Sequence, residues 1–75
     1  MQMIRTTAPE PWIAEIFSAK AALRGGVIRR DVDWVEREVG HDRFCHEVRR
    51  RGFHLLRAGR QYVIVCSPDP VQILF

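Results

Sequence analysis

The spacing of apolar residues changes at Gly52, and this change constrains the fold more than any other feature of the sequence. Before Gly52, apolar residues recur every three or four positions, which is typical of helices with one buried face. After it, residues 61–66 (Gln-Tyr-Val-Ile-Val-Cys) are rich in side chains that favour strands. The sequence therefore predicts an α+β fold, with helices first and a small sheet after them.

A capping residue and a glycine mark the limits of the first helix. Thr7 can cap its start, with a proline and a glutamate close behind, and Gly25 follows its end. Between them, Ile16 and Leu23 fall on one helical face, so we expect both in the core. Residues 27–30 then form a short extended segment.

Two further helices follow, and Gly40 separates them. Asp31 is a suitable N-cap for the second helix, which Gly40 ends. The third helix covers residues 42–51, and its apolar spacing predicts that Phe44 and Val48 are buried. The chain thus has three predicted helices.

The last third of the chain predicts an antiparallel sheet of two or three strands. Residues 53–57 and 61–66 are the two strands of a hairpin whose turn is 58–60. Residues 71–75 follow a turn with two prolines and would be the third strand. The strand side chains that we expect in the core are Phe53, Leu55, Val63 and Val65.

Length and composition predict one domain over residues 1–75, with residues 1–8 as a flexible N-terminal segment. A chain this short buries only about 60% of its unfolded surface, so its core is thin. No apolar run approaches the ~20 residues of a membrane span, and the start lacks the apolar stretch of a secretion signal. We therefore expect a cytoplasmic protein that does not enter the membrane.

Arginine supplies almost all of the positive charge. The net charge is +3, and the second half of the chain, residues 41–75, carries the whole excess. Arginine forks match phosphates and guanine edges better than lysine does. A charged surface that keeps a small domain soluble would explain the same composition.

The order of elements over residues 10–66 resembles the winged helix-turn-helix, and residues 35–44 resemble its corner. Glu36 stands four residues before the turn glycine, where such units usually have a small residue. In that fold the third helix enters the DNA major groove and the hairpin turn forms a wing. The resemblance implies a small module that binds DNA or RNA, in the role of a regulator.

Arginines and a histidine on the third helix and the hairpin are the candidate nucleic-acid ligands. Helical spacing predicts that Arg43, His46, Glu47 and Arg50 lie opposite a buried side formed by Phe44, Cys45 and Val48. Arg57 and Arg60 flank the hairpin turn. The complete set of candidate nucleic-acid-binding residues is Arg43, His46, Arg49, Arg50, Arg57 and Arg60.

Two alternatives compete with this hypothesis. In the first, residues 71–75 add an edge strand to a protein partner or to a second copy, and the chain is an interaction module without catalytic activity. In the second, residues 47–75 resemble the HicA-type mRNA interferase toxins, which would imply RNA cleavage. That family has a catalytic histidine after a glycine-serine pair, whereas Gly59 is followed by Arg60 and Gln61. No catalytic residue can therefore be assigned, and we expect a protein that is not an enzyme.

Histidines and cysteines are too few and too scattered to predict a metal site or a cofactor. His41 and Cys45 are four residues apart, and only His54 and Cys66 could join them. Zinc usually takes four ligands in two close pairs, and the sequence has no Cys-x-x-Cys pair. Adjacent residues on a helix point about 100° apart, so Cys45 and His46 do not form a catalytic pair.

Overall fold

The computed structural model describes residues 9–75, so the predicted N-terminal segment and the Thr7 cap lie outside the described residues. Four helices and three strands form the expected α+β fold. In chain order they are α1 (Pro9–Phe17), α2 (Lys20–Leu23), β1 (Val27–Asp31), α3 (Val32–Glu38), α4 (His41–Arg50), β2 (His54–Ala58) and β3 (Gln61–Val65).

The three strands form one antiparallel sheet in the order β1-β3-β2. The central strand β3 places Ile64 between Ile28 of β1 and Leu55 of β2. The predicted hairpin is therefore confirmed, and the short extended segment before α3 provides the third strand. The prediction of a strand at residues 71–75 is wrong, because these residues have no regular structure and are exposed.

The predicted first helix is broken into α1 and α2. Ala19 has an extended backbone, with φ −62° and ψ 153°. The hydroxyl of Ser18 donates to the carbonyl of Glu15 over 3.0 Å, a local bond that competes with helix continuation. The break changes which face turns inward, so Leu23 is 78% exposed and its predicted burial is wrong.

The helices cover one face of the sheet, and the core lies between them. Phe44, Val35 and Ile64 have no exposed surface, and Ile16 and Val48 are also buried. The buried apolar residues are Ile13, Ile16, Phe17, Ile28, Val32, Val35, Phe44, Val48, Tyr62, Ile64 and Cys66.

The buried face of β3 is opposite to the predicted one. Tyr62, Ile64 and Cys66 point to the helices, whereas Val63 and Val65 lie on the other face and are only half-buried. Successive strand residues point to opposite faces, so a shift of one residue exchanges the whole set. Phe53 and Leu55, also expected in the core, are only partly buried and pack against it.

Local signals at both ends of α3 are confirmed. The carboxylate of Asp31 accepts a hydrogen bond from the backbone N–H of Trp34 over 2.9 Å, as expected of an N-cap. Gly40 has φ 100°, a conformation that favours glycine, and it joins α3 to α4. None of the helices within residues 9–75 is long and apolar enough to cross a membrane.

Burial predicts opposite outcomes for two large-to-alanine substitutions. Phe44→Ala should lower the free energy of unfolding by about 3–5 kcal/mol, because it leaves a cavity in the core. Leu23→Ala should change it by less than about 0.5 kcal/mol, because that side chain is already in solvent. Urea denaturation of both variants measures the difference. Equal losses would contradict the break between α1 and α2.

Candidate nucleic-acid interface

Helix α4 presents a charged side to solvent because its apolar residues are turned to the sheet. Phe44 and Val48 are buried, and residues about 180° away on a helix with 100° per residue must point outward. His46 and Arg49 occupy that outward direction and are exposed, with Asp42 at its N-terminal end. Arg50 is exposed beside them. We call His46, Arg49 and Arg50 the α4 strip.

Glu47 does not lie on the outward side, so that part of the prediction is wrong. Its side chain turns inward, and the residue is 8% exposed. Its Oε1 accepts from Arg51 Nη1 at 2.6 Å and from Arg50 Nη2 at 2.9 Å. Arg43 Nε lies 3.7 Å from Oε2. Attraction to three guanidinium groups outweighs the cost of removing this carboxylate from water.

The arginines change the acidity of Glu47. Hydrogen bonds from Arg51 and then Arg50 stabilise the carboxylate and lower the pKa of Glu47 to about 2, although burial acts in the opposite direction. Arg51 also donates to the Glu47 carbonyl over 3.0 Å. Its guanidinium lies 4.2 Å from the centre of the Phe17 ring, a cation–π contact that joins α4 to α1.

The same cluster decides how far Arg43 and Arg50 are available to a ligand. Arg43 is half-buried beside Glu47, whereas the Arg50 side chain remains 59% exposed. Arg50 and Arg51 share the single Oε1 of Glu47, and the Arg50 side chain stays in water. Arg50 therefore still contributes to the electrostatic field of the α4 strip.

Both hairpin arginines have partners within the protein. Arg60 Nη2 lies 2.9 Å from Asp33 Oδ2 near the start of α3, and both side chains are largely exposed. Arg57 Nε donates to the carbonyl of Gly59 over 3.2 Å within the hairpin itself. An exposed ion pair of this kind contributes little to stability, so a phosphate can replace Asp33 as the partner of Arg60.

A chain of polar contacts that the sequence analysis did not predict links α4 to the sheet. His41 Nδ1 lies 2.7 Å from the hydroxyl of Tyr62, which donates to Glu36 Oε2 over 3.4 Å. The Sγ of Cys45 is 3.6 Å from His41 Nε2. Tyr62 stands on the buried face of β3, so this chain fixes the start of α4 against the sheet.

The turn at Gly40 between α3 and α4 accommodates Glu36 because its side chain points outward. Glu36 is exposed and meets the Tyr62 hydroxyl instead of entering the crossing of α3 and α4.

Cys45, which belongs to the same chain of polar contacts, is not activated as a nucleophile. Burial raises the pKa of the Cys45 thiol, and the charge of Asp42 raises it further. Cys45 is therefore a protonated thiol at neutral pH, which does not suit a nucleophile.

Two shallow surface pockets lie in different parts of the described protein. One, of about 360 Å³, is lined in part by Trp12 and Trp34, whose rings meet edge to face at 4.7 Å. The other, of about 350 Å³, lies between α4 and β2. Its lining residues are Cys45, Val48, Arg49, Phe53, His54 and Leu55. Within residues 9–75, no three histidine, cysteine, aspartate or glutamate side chains gather in a group that could hold a metal ion.

Comparison with protein-family models, with curated proteins and with solved structures found no match.

The acidity of Glu47 predicts a specific dependence of stability on pH. Its pKa is lowered from 4.5 to about 2 in the folded protein, so its contribution is complete above pH 4.5 and is lost as the pH falls toward 2. Glu47→Gln should lower the free energy of unfolding at pH 7 by about 1–3 kcal/mol, because it removes charge-assisted hydrogen bonds. The gap between variant and wild type should narrow as the pH falls through that range.

Denaturation at a series of pH values measures this gap. Glu15→Gln, which removes an exposed carboxylate from α1, is the matched control and should give a nearly constant difference. A gap for Glu47→Gln that stayed the same from neutral pH to the lowest pH would contradict the assigned role of the carboxylate.

Proposed function

We propose that the protein binds duplex DNA through the α4 strip, with the hairpin as a second point of contact. The observation that carries this proposal is the exposure of His46, Arg49 and Arg50 on one side of a helix that holds its carboxylate inward. Arginine forks on an exposed helix suit both phosphate oxygens and guanine edges in the major groove.

The arrangement of elements supports the same proposal. Helix α3, the turn at Gly40 and α4 follow one another, and the hairpin β2–β3 comes next. Strand β1 pairs with β3 and not with β2. This is the order expected of a winged helix-turn-helix, in which α4 would correspond to the helix in the groove and the β2–β3 turn to the wing.

The inward turn of Glu47 improves the electrostatics of the proposed interface. A carboxylate on the outward side of α4 would repel phosphates, whereas Glu47 is buried against its arginines. Asp42 stays exposed in the first turn of α4, where it lines one surface pocket with His46 and Arg49. The C-terminal half of the helix is therefore its positive end.

Binding to duplex DNA should be strong at low salt and should weaken steeply as salt increases. Each phosphate contact contributes roughly 0.9 to the slope of log affinity against log salt, because it releases counterions. Arg49→Ala should weaken binding about tenfold and reduce the slope by about 0.9, since it removes one such contact. Arg57→Ala should have a similar effect if the hairpin takes part. Fluorescence anisotropy with a labelled duplex measures both quantities.

Arg24→Ala is the matched control, because it removes the same charge from an exposed site beside the opposite edge of the sheet. It should leave the affinity and the slope nearly unchanged. An equal loss for Arg24→Ala and Arg49→Ala would contradict a localised interface. Absence of binding at tens of micromolar protein in low salt would overturn the proposal, and tighter binding to single-stranded RNA would replace duplex DNA as the ligand.

A further inference from the structure

Strand β2 is an edge of the sheet with an apolar groove beside it. Within the described residues its only strand neighbour is β3, so the other side of its backbone has no strand partner. A pocket lies between α4 and the start of β2, and Val48, Phe53 and Leu55 are the apolar residues of its lining. A strand added to β2 would direct every second side chain into this groove.

The chain itself contains a segment that fits such a position. Residues 71–75 have no regular structure, and Ile73 and Leu74 are 77% and 79% exposed. As a strand, these residues would place Val71, Ile73 and Phe75 on one face. Exposed apolar side chains in this number favour association over solvation.

The segment is poorly placed for antiparallel pairing along the whole of β2 of its own copy. The carbonyl of Pro68 lies 3.4 Å from His54 Nε2, so the chain leaves the sheet beside the start of β2. Full antiparallel pairing would bring Val71 beside Ala58, four residues or roughly 13 Å from His54. The three residues from Pro68 to Val71 span at most about 11 Å, and two prolines stiffen this link. A segment from a second copy has no such link, so it can pair along the whole strand in the stronger, antiparallel sense.

We propose that residues 71–75 of one copy add a fourth strand to β2 of a second copy, with Ile73 in the groove between α4 and β2. The partner is a second copy because each chain carries both halves of the contact, an open edge and an exposed segment. A two-fold axis then allows both segments to be used at once, which closes the assembly as a dimer and doubles the buried area.

Two lysine substitutions on opposite faces of the segment test the orientation of the strand. Ile73→Lys places a charge in the groove and should raise the dimer dissociation constant at least about tenfold. Gln72→Lys adds the same charge to the other face and should change it far less. Both side chains are exposed, so neither substitution should affect the folding of the monomer. Sedimentation equilibrium of the full chain over a concentration series measures the constant.

A disulfide test separates pairing between copies from pairing within one. Cys45 lines the groove and is half-exposed, so Ile73→Cys should form a disulfide with Cys45 under mild oxidation. Pairing between copies gives a species of doubled mass on a non-reducing gel, whereas pairing within one copy gives a cross-linked monomer. Cys66 is buried and does not compete. Cys45→Ala in the same background should abolish the product.

A wild-type chain that stays monomeric at about 1 mM would overturn the proposal, because even a millimolar dissociation constant gives a large dimer fraction at that concentration. A cross-linked monomer, or equal effects of the two lysine substitutions, would also overturn it. None of these measurements includes nucleic acid, so their outcome is independent of the DNA-binding proposal.

Discussion

The burial of Phe44 and Val48 against the sheet is the constraint that sets the orientation of α4. Glu47 bonds arginines three and four residues along the same helix end, so its carboxylate orders the side chains of Arg50 and Arg51. Arg51, held in this way, lies over the Phe17 ring and joins α4 to α1. His46 and Arg49 then face solvent as a consequence.

Much of the fold could be predicted because local signals and tertiary packing agree. The Asp31 cap, the Gly40 turn and the change of apolar spacing at Gly52 each depend on neighbouring residues alone, and each is confirmed. The face of β3 could not be predicted in the same way. All four residues from Tyr62 to Val65 favour strands, so the sequence does not show which alternate pair is buried. The register with β1 decides which pair it is.

The direction of a side chain on α4 could be predicted where helical spacing alone decides it, and could not where ion pairs decide it. Spacing from Phe44 places His46 outward, as expected. Spacing from Arg43 and Arg50 predicts Glu47 outward, and a carboxylate is usually solvated, but Glu47 also stands three residues after the buried Phe44. A signal for the true arrangement was present, since arginines stand four residues before, three after and four after Glu47. Those are the separations at which helical side chains meet, so clusters of one acid and several bases should be weighed before helix faces are assigned.

Arg49 connects the two proposed surfaces, because it belongs to the α4 strip and also lines the groove beside β2. A strand from a second copy would therefore change the surroundings of a side chain that is assigned to a phosphate. If the strand restricts Arg49 to outward rotamers, it lowers the entropy cost of the phosphate contact; if it draws the guanidinium into the groove, it removes that contact. In either case the coupling is reciprocal, so DNA must change the dimer affinity by the same factor by which the dimer changes DNA affinity.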